Sequence, residues 1–134
     1  MANRKMSPIK DKRKVDAFLR IAQTYGDKYY IIAKFQLNTG LRIIDVLRTH
    51  VSDILLPTYR FREYLTLKEK KTGKEKQIKL NDEMKRCLKA YISQQDLSYN
   101  GFLFPGRNIN KHITYYQVWR VFTGIADQLS LENF

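Results

Sequence analysis

Gly26 and Gly40 bracket the segment "DKYYIIAKFQLNT", and that segment constrains the fold more than any other part of the chain. It opens on Asp27 and carries Tyr30, Ile31, Ala33, Phe35 and Leu37, so it is apolar almost all round. A helix without a polar face is stable only when it is buried. The spacing therefore predicts a central helix over 27–39, ended by Gly40 and covered by neighbouring elements.

Those neighbours read as follows. Residues 7–25 place Val15, Phe18, Leu19, Ala22 and Tyr25 at helical spacing, with Asp11 as cap and Gly26 as stop. After Gly40, "RIIDVLRTH" predicts a short amphipathic helix that buries Ile43, Val46 and Leu47. The period then changes. "VSDILL" is short and β-branched and reads as a strand that Pro57 breaks. Residues 62–69 and 76–80 alternate and predict a hairpin around "KKTGK", where Gly73 can take a positive φ. A helix returns at "NDEMKRCLKAYISQQ", capped by Asn81 or Asp82, with Met84, Leu88 and Tyr91 inward. "FLF" is a short buried run, and "PG" a turn. "ITYYQVWRVFTGIADQL" starts from Thr114 and turns Tyr115, Val118, Trp119, Phe122, Ile125, Ala126 and Leu129 inward. The expected architecture is α+β and mainly helical, with helices around a small two- or three-stranded antiparallel sheet. All of residues 1–134 form one domain, and no repeat or linker divides them.

Charge narrows the partner. Lysine and arginine total 25 against 13 acids, a net +12 with a pI near 9.9. That balance favours a polyanion, with nucleic acid the first candidate and a merely solvated basic surface the second. No stretch is long and apolar enough to span a membrane, and no apolar signal core follows the basic start, so the expected location is the cytoplasm. Cys87 has no second cysteine to pair with and reads as a boundary residue of its helix. His50 and His112 are far apart in sequence, and no P-loop or G-x-G-x-x-G occurs, so neither a metal nor a cofactor is expected. The carboxylates are scattered or paired with lysines, which speaks against a two-metal nuclease.

Two features could handle phosphate. Residues 60–79 hold eight basic residues against three glutamates, and such a ribbon can follow a nucleic-acid backbone. Lysines on edge strands also serve simply to block aggregation. Arg42 stands at the start of a helix, where the macrodipole disfavours a cation. Its fork geometry suits a phosphate. The competing reading is an ion pair with Asp45, three residues on.

Taken together, these segments resemble a known family. "NTGLRIIDVLRTHVSDI" is similar to the first arginine box of the tyrosine recombinases, the phage integrase family. "LTLKEKKTGKEKQIKLN" resembles that family's catalytic-lysine hairpin, "GFLFPG" its following "LF" segment, and "ITYYQVWRVFTGIAD" the helix before its second box. The likeness runs in order from about residue 7 to the end. It implies that Arg42 binds the scissile phosphate and that Asp45 orients the region around it. It further implies that Lys71 is the general acid toward the leaving 5′ oxygen, with Lys70 the alternative because the turn register is open. Phosphate contacts are expected from Lys70, Lys71, Thr72, Lys74, Arg107 and Lys111.

The resemblance also departs from the family. The H-x-x-R box and the nucleophilic tyrosine have no match, because neither His50 nor His112 is followed by that pattern and Tyr115 and Tyr116 fall on the wrong helix. The chain reaches "SLENF" about where that box begins. The expectation is thus the N-terminal part of a recombinase catalytic domain, inactive in cleavage by itself and of prophage type. Its whole enzyme would act on duplex DNA as a multimer, through a 3′-phosphotyrosine. Apolar surface around Phe122, Ile125 and Leu129 would be left open to self-association. The alternatives are a stand-alone basic DNA- or RNA-binding module and an inert remnant.

Overall fold

A computed structural model describes residues 11–130. The basic start, including the first residues of the expected 7–25 helix, and the last four residues lie outside the described residues.

Helix α1 (Lys12–Tyr25) starts where the Asp11 carboxylate accepts the Arg13 N–H at 2.9 Å. It stops at Gly26, whose φ of 135° few other residues adopt. The same glycine opens α2 (Asp27–Thr39), its carbonyl accepting from the N–H groups of Tyr29 and Tyr30. In α2 Ile31, Ile32, Ala33 and Phe35 are buried and only Asp27 is exposed, as expected of a central helix. Gly40 ends α2 in the left-handed region, with φ at 70°. Helix α3 (Ile43–Leu47) follows at once and buries Ile43, Val46 and Leu47.

"VSDILL" is not a strand. Val51–Ile54 forms one helical turn, α4, because the Asp53 carboxylate accepts the His50 N–H at 2.8 Å and closes the turn's open end. The β-branched Val51 and Ile54 are buried, so their stiffness serves packing here. Extended backbone is confined to Leu55, which makes a single bridge to Phe61.

The hairpin is present but shorter than its alternation suggests. Strands β1 (Leu65–Lys68) and β2 (Glu75–Ile78) pair antiparallel, with Leu65 opposite Ile78 and Lys68 opposite Glu75. The Arg62 N–H donates to the Ile54 carbonyl, so residues 61–62 pair backward and leave the ribbon. Tyr64 is exposed.

Asn81, rather than Asp82, caps α5 (Asp82–Gln95), accepting the Met84 N–H at 2.8 Å. Met84, Leu88, Tyr91 and Ile92 face inward. The Tyr91 hydroxyl donates to the Leu103 carbonyl at 2.9 Å, and burial pushes its pKa up. Leu103 and Phe104 are buried, whereas Phe102 is only half-buried.

A reciprocal Thr114–Gln117 capping box starts α6 (Tyr115–Gln128), which buries Val118, Phe122, Ile125 and Ala126. Trp119 and Tyr115 are exposed, contrary to the inward reading. Successive residues turn about 100° around a helix, which carries Trp119 off the stripe through Val118 and Phe122. Tyr115 lies in the first turn, ahead of the buried residues. Tyr25, the last residue of α1, is also exposed rather than inward. The core closes when α6 packs on α1, Phe18 meeting Phe122 edge to face at 5.3 Å, and α5 packs on α2. Phe104 bridges these layers against Phe35 and Tyr91.

Candidate functional site

Arg42 is the N-cap of α3, extended at φ −63° and ψ 147°. A cation at this helix end calls for an anion. The anion is not Asp45. Arg42 Nη1 reaches Glu69 Oε2, at the end of the hairpin strand, at 3.3 Å. The two side chains are 25% and 12% exposed, so the pair is partly screened from water.

Asp45 does something else. It is buried at 3% exposure, and its Oδ1 accepts the backbone N–H of Lys70 at 3.0 Å. Arg48 Nη1 lies 3.7 Å from the same oxygen. Oδ2 is also buried and makes no hydrogen bond among the described residues. A buried carboxylate is costly unless donors surround it. The Lys70 contact fastens the hairpin to α3, and Arg48, at the end of the same helix, offsets the buried charge.

The turn itself is tightly specified. The Glu69 N–H donates to the Lys74 carbonyl at 2.8 Å, and the Gly73 N–H donates to the Glu69 carbonyl at 2.8 Å. Gly73 has φ 71°, which lets the chain reverse there. Thr72 Oγ1 donates to Glu69 Oε1 at 3.0 Å and accepts the Lys74 N–H at 3.1 Å. Lys70, Lys71 and Lys74 project from this frame and are exposed. A single carboxylate, that of Glu69, thus touches both the arginine and the turn that carries the lysines.

Beside the hairpin lies a cleft of about 430 Å³ between β1, α3, α4 and the 102–112 segment. Arg48, Lys68, Lys70, His50, Phe102 and His112 line it, together with the carboxylates Asp45 and Asp53. The two histidines flank one ring. His50 stacks on Phe102 at 4.4 Å, and His112 meets its edge at 5.3 Å.

The sequence over residues 10–134 matches the model of the phage integrase family. The chain belongs to that family. It is 25% identical over 128 residues to the probable integrase/recombinase YoeC of Bacillus subtilis (strain 168), covering 96% of this chain and 67% of that protein. Its fold is similar to that of lambda integrase (residues 75–356) in a crystal structure bound to DNA, with a TM-score of 0.70 at 18% identity. That likeness covers 94% of this chain and 45% of the solved one, so this chain spans less than half the length of that integrase structure.

Within this phage integrase fold the expected site residues fall into two groups. Arg42, Asp45, Lys70, Lys71, Thr72 and Lys74 converge on the α3–hairpin junction. Arg107 and Lys111 do not join them. Both are exposed on a separate loop, closed by a 2.7 Å bond from the Gly106 N–H to the Lys111 carbonyl, and of all the expected site residues only Asp45 and Lys70 line the cleft. That loop is held from behind by the Lys28 ammonium, which donates to the Pro105 carbonyl and whose pKa is lowered by burial.

Glu69, Arg48, Lys68 and the two histidines are what the sequence reading missed. Glu69 looked like one more charge in a basic ribbon. His50 and His112 come together only through two isolated bridges, His50 with Phe102 and Pro105 with His112, which leave no periodic trace in the sequence. Among the described residues no cluster of three or more His, Cys, Asp or Glu side chains is placed to hold a metal ion. Among them, too, no helix is long and apolar enough to cross a membrane.

Proposed function

We propose that this chain is part of a DNA integrase/recombinase catalytic domain, and that the α3–hairpin junction is its phosphate-gripping half. The partner is duplex DNA in the cytoplasm. Arg42 binds the scissile phosphate through its fork and stabilises the charge that builds on the phosphoryl oxygens in the transition state. Lys71, at the turn tip, gives a proton to the leaving 5′ oxygen, and Lys70, whose backbone is tied to Asp45, is the alternative donor. Asp45 positions the hairpin without touching DNA. Thr72 and Lys74, with Arg107 and Lys111 from the neighbouring loop, add phosphate contacts. In the complete enzyme a tyrosine attacks the phosphate to give a 3′-phosphotyrosine, and the H-x-x-R residues complete the cage around it.

The observation that supports this reading is the meeting of Arg42 with the hairpin turn. Residues 27 positions apart converge through Glu69 to bring a phosphate-type fork beside three exposed lysines. A solvated basic surface requires no such convergence.

The test is fluorescence-anisotropy binding of a labelled duplex over a salt series. Arg42→Ala is expected to weaken binding about tenfold, as for a lost charged hydrogen bond, and to lower the salt slope by about one. Lys89→Ala, on exposed α5 surface, should cost no more than about twofold. Equal losses for the two variants would favour a stand-alone basic binding module and sink the recombinase reading of Arg42.

A further inference from the structure

We propose that Glu69 is a built-in stand-in for phosphate: it occupies Arg42 in the DNA-free protein, and its displacement by a DNA phosphate releases the turn that carries Lys71. This inference rests on the reading of Arg42 as the phosphate ligand and adds a switch to it.

The geometry argues for exchange rather than for a fixed structural pair. Glu69 spreads its two carboxylate oxygens over two partners, Oε2 on Arg42 at 3.3 Å and Oε1 on Thr72 Oγ1 at 3.0 Å. A phosphate presents oxygens to an arginine fork in a similar way. Strong guanidinium–carboxylate bonds are about 2.7–2.9 Å and often paired, whereas this one is single and longer. Arg42 therefore keeps capacity for a better anion. A phosphate and Glu69 cannot share the fork cheaply, since two anions at that distance repel.

The side chain is also dispensable to the turn. The backbone N–H and carbonyl of Glu69 already bond to Lys74 and Gly73. What its carboxylate adds is a link from Arg42 to Thr72, whose hydroxyl in turn accepts the Lys74 N–H. When the carboxylate leaves Arg42, that chain of contacts loses its anchor on α3. The base of the hairpin stays where it is, because the Asp45–Lys70 bond does not involve Glu69. Release is then confined to Lys71 and Thr72, because Gly73 and Lys74 keep their backbone bonds to Glu69. Phosphate binding at Arg42 is in this way communicated to the lysine that must reach the same phosphate, and Lys71 is freed only when a substrate is seated.

The experiment is a double-mutant cycle on the full chain, read by anisotropy with a labelled duplex. Glu69→Gln removes the competing charge and should tighten binding about fivefold, the scale of a partly shielded ion pair. In an Arg42→Ala background the same change should give less than twofold, since there is no fork left to free. Glu75→Gln, at a hairpin glutamate that is exposed to solvent, should give less than twofold in either background. Glu69→Ala provides the same comparison should the glutamine variant fail to fold, which a thermal melt reports. Tightening of equal size with and without Arg42 would mean simple charge removal and would overturn the switch. So would unchanged or weaker binding by Glu69→Gln in the parent. If Arg42→Ala by itself costs no more than Lys89→Ala, the phosphate reading falls first and the switch with it.

Discussion

Asp45 and Lys70 meet carboxylate to backbone N–H at 3.0 Å across 25 positions of sequence, and this bond makes α3 and the hairpin one unit. Asp45→Ala leaves the Lys70 N–H and Arg48 without their acceptor. A loss of about 1–3 kcal/mol is expected, read as a lower urea midpoint at an unchanged slope. Asp45→Asn keeps an oxygen for the Lys70 N–H and should lose less. Equal losses for the two variants would show that the carboxylate oxygen is not what matters.

Phe104 carries the contact between α2 and α5. It is fully buried between Phe35, at 6.2 Å, and Tyr91, at 5.8 Å. Phe104→Ala should cost about 3–5 kcal/mol. Phe102→Ala, two residues earlier and half-buried, should cost clearly less in the same denaturant titration, while removing the ring between the two histidines.

The Lys34–Glu83 pair ties α2 to α5 and gives a pH signature. Partial burial by itself would lower the Lys34 pKa. Its bonds to Glu83 at 2.8 Å and to the Tyr30 hydroxyl at 3.2 Å outweigh that and hold it above the ordinary 10.5. The bond to Lys34 also holds Glu83 below its ordinary 4.5. For Lys34 the stabilisation is complete below 10.5 and fades as pH rises through the raised value. For Glu83 it is complete above 4.5 and fades as pH falls through the lowered value. Lys28 has the opposite sign: burial lowers its pKa, so its cost is present at neutral pH and is relieved in alkali. The comparison is therefore parent minus Glu83→Gln, by melting temperature against pH. The difference should be largest between 4.5 and 10.5 and shrink beyond both.

Trp119 is the sole tryptophan and is 41% exposed, stacked on Tyr116, with Arg120 over the Tyr116 ring. Native emission should already be red-shifted and open to iodide quenching. Self-association, if it occurs, would use this Tyr115–Tyr116–Trp119 face and not Phe122 and Ile125, which are buried. Trp119→Lys should then shift a concentration-dependent sedimentation profile toward monomer; a profile identical to that of the parent would exclude this face.

Much of the fold was legible because its signals are local. Gly26 and Gly40 announce helix ends through backbone conformations that other residues resist, and Thr114 and Asn81 announce starts. The Gly73 turn was equally plain. The failures share a cause, which is that tertiary partners decided them. Val51 and Ile54 look like strand residues, but the Asp53 cap and a buried site made them a helical turn. Trp119 fits an apolar helix, yet the packed stripe runs through Val118 and Phe122. Arg42 and the hairpin lysines stand out by residue type and order, and the structure brings them to one junction. Its actual anion, Glu69, was hidden because pairing across 27 positions has no local mark.

The edge-to-face contact of Phe18 with Phe122 has a bearing on how the protein is made. The first described helix is covered by the last described one, so α1 and α2 leave the ribosome with their inner faces uncovered. At about 5–20 residues per second, the hundred or so residues between those two rings keep this surface open for several seconds or more. In the last part of that time the hairpin is already synthesised, while the body it rests on is not yet closed. Expression at lower temperature, or alongside a chaperone that shields apolar helices, should raise the soluble yield without any change in sequence.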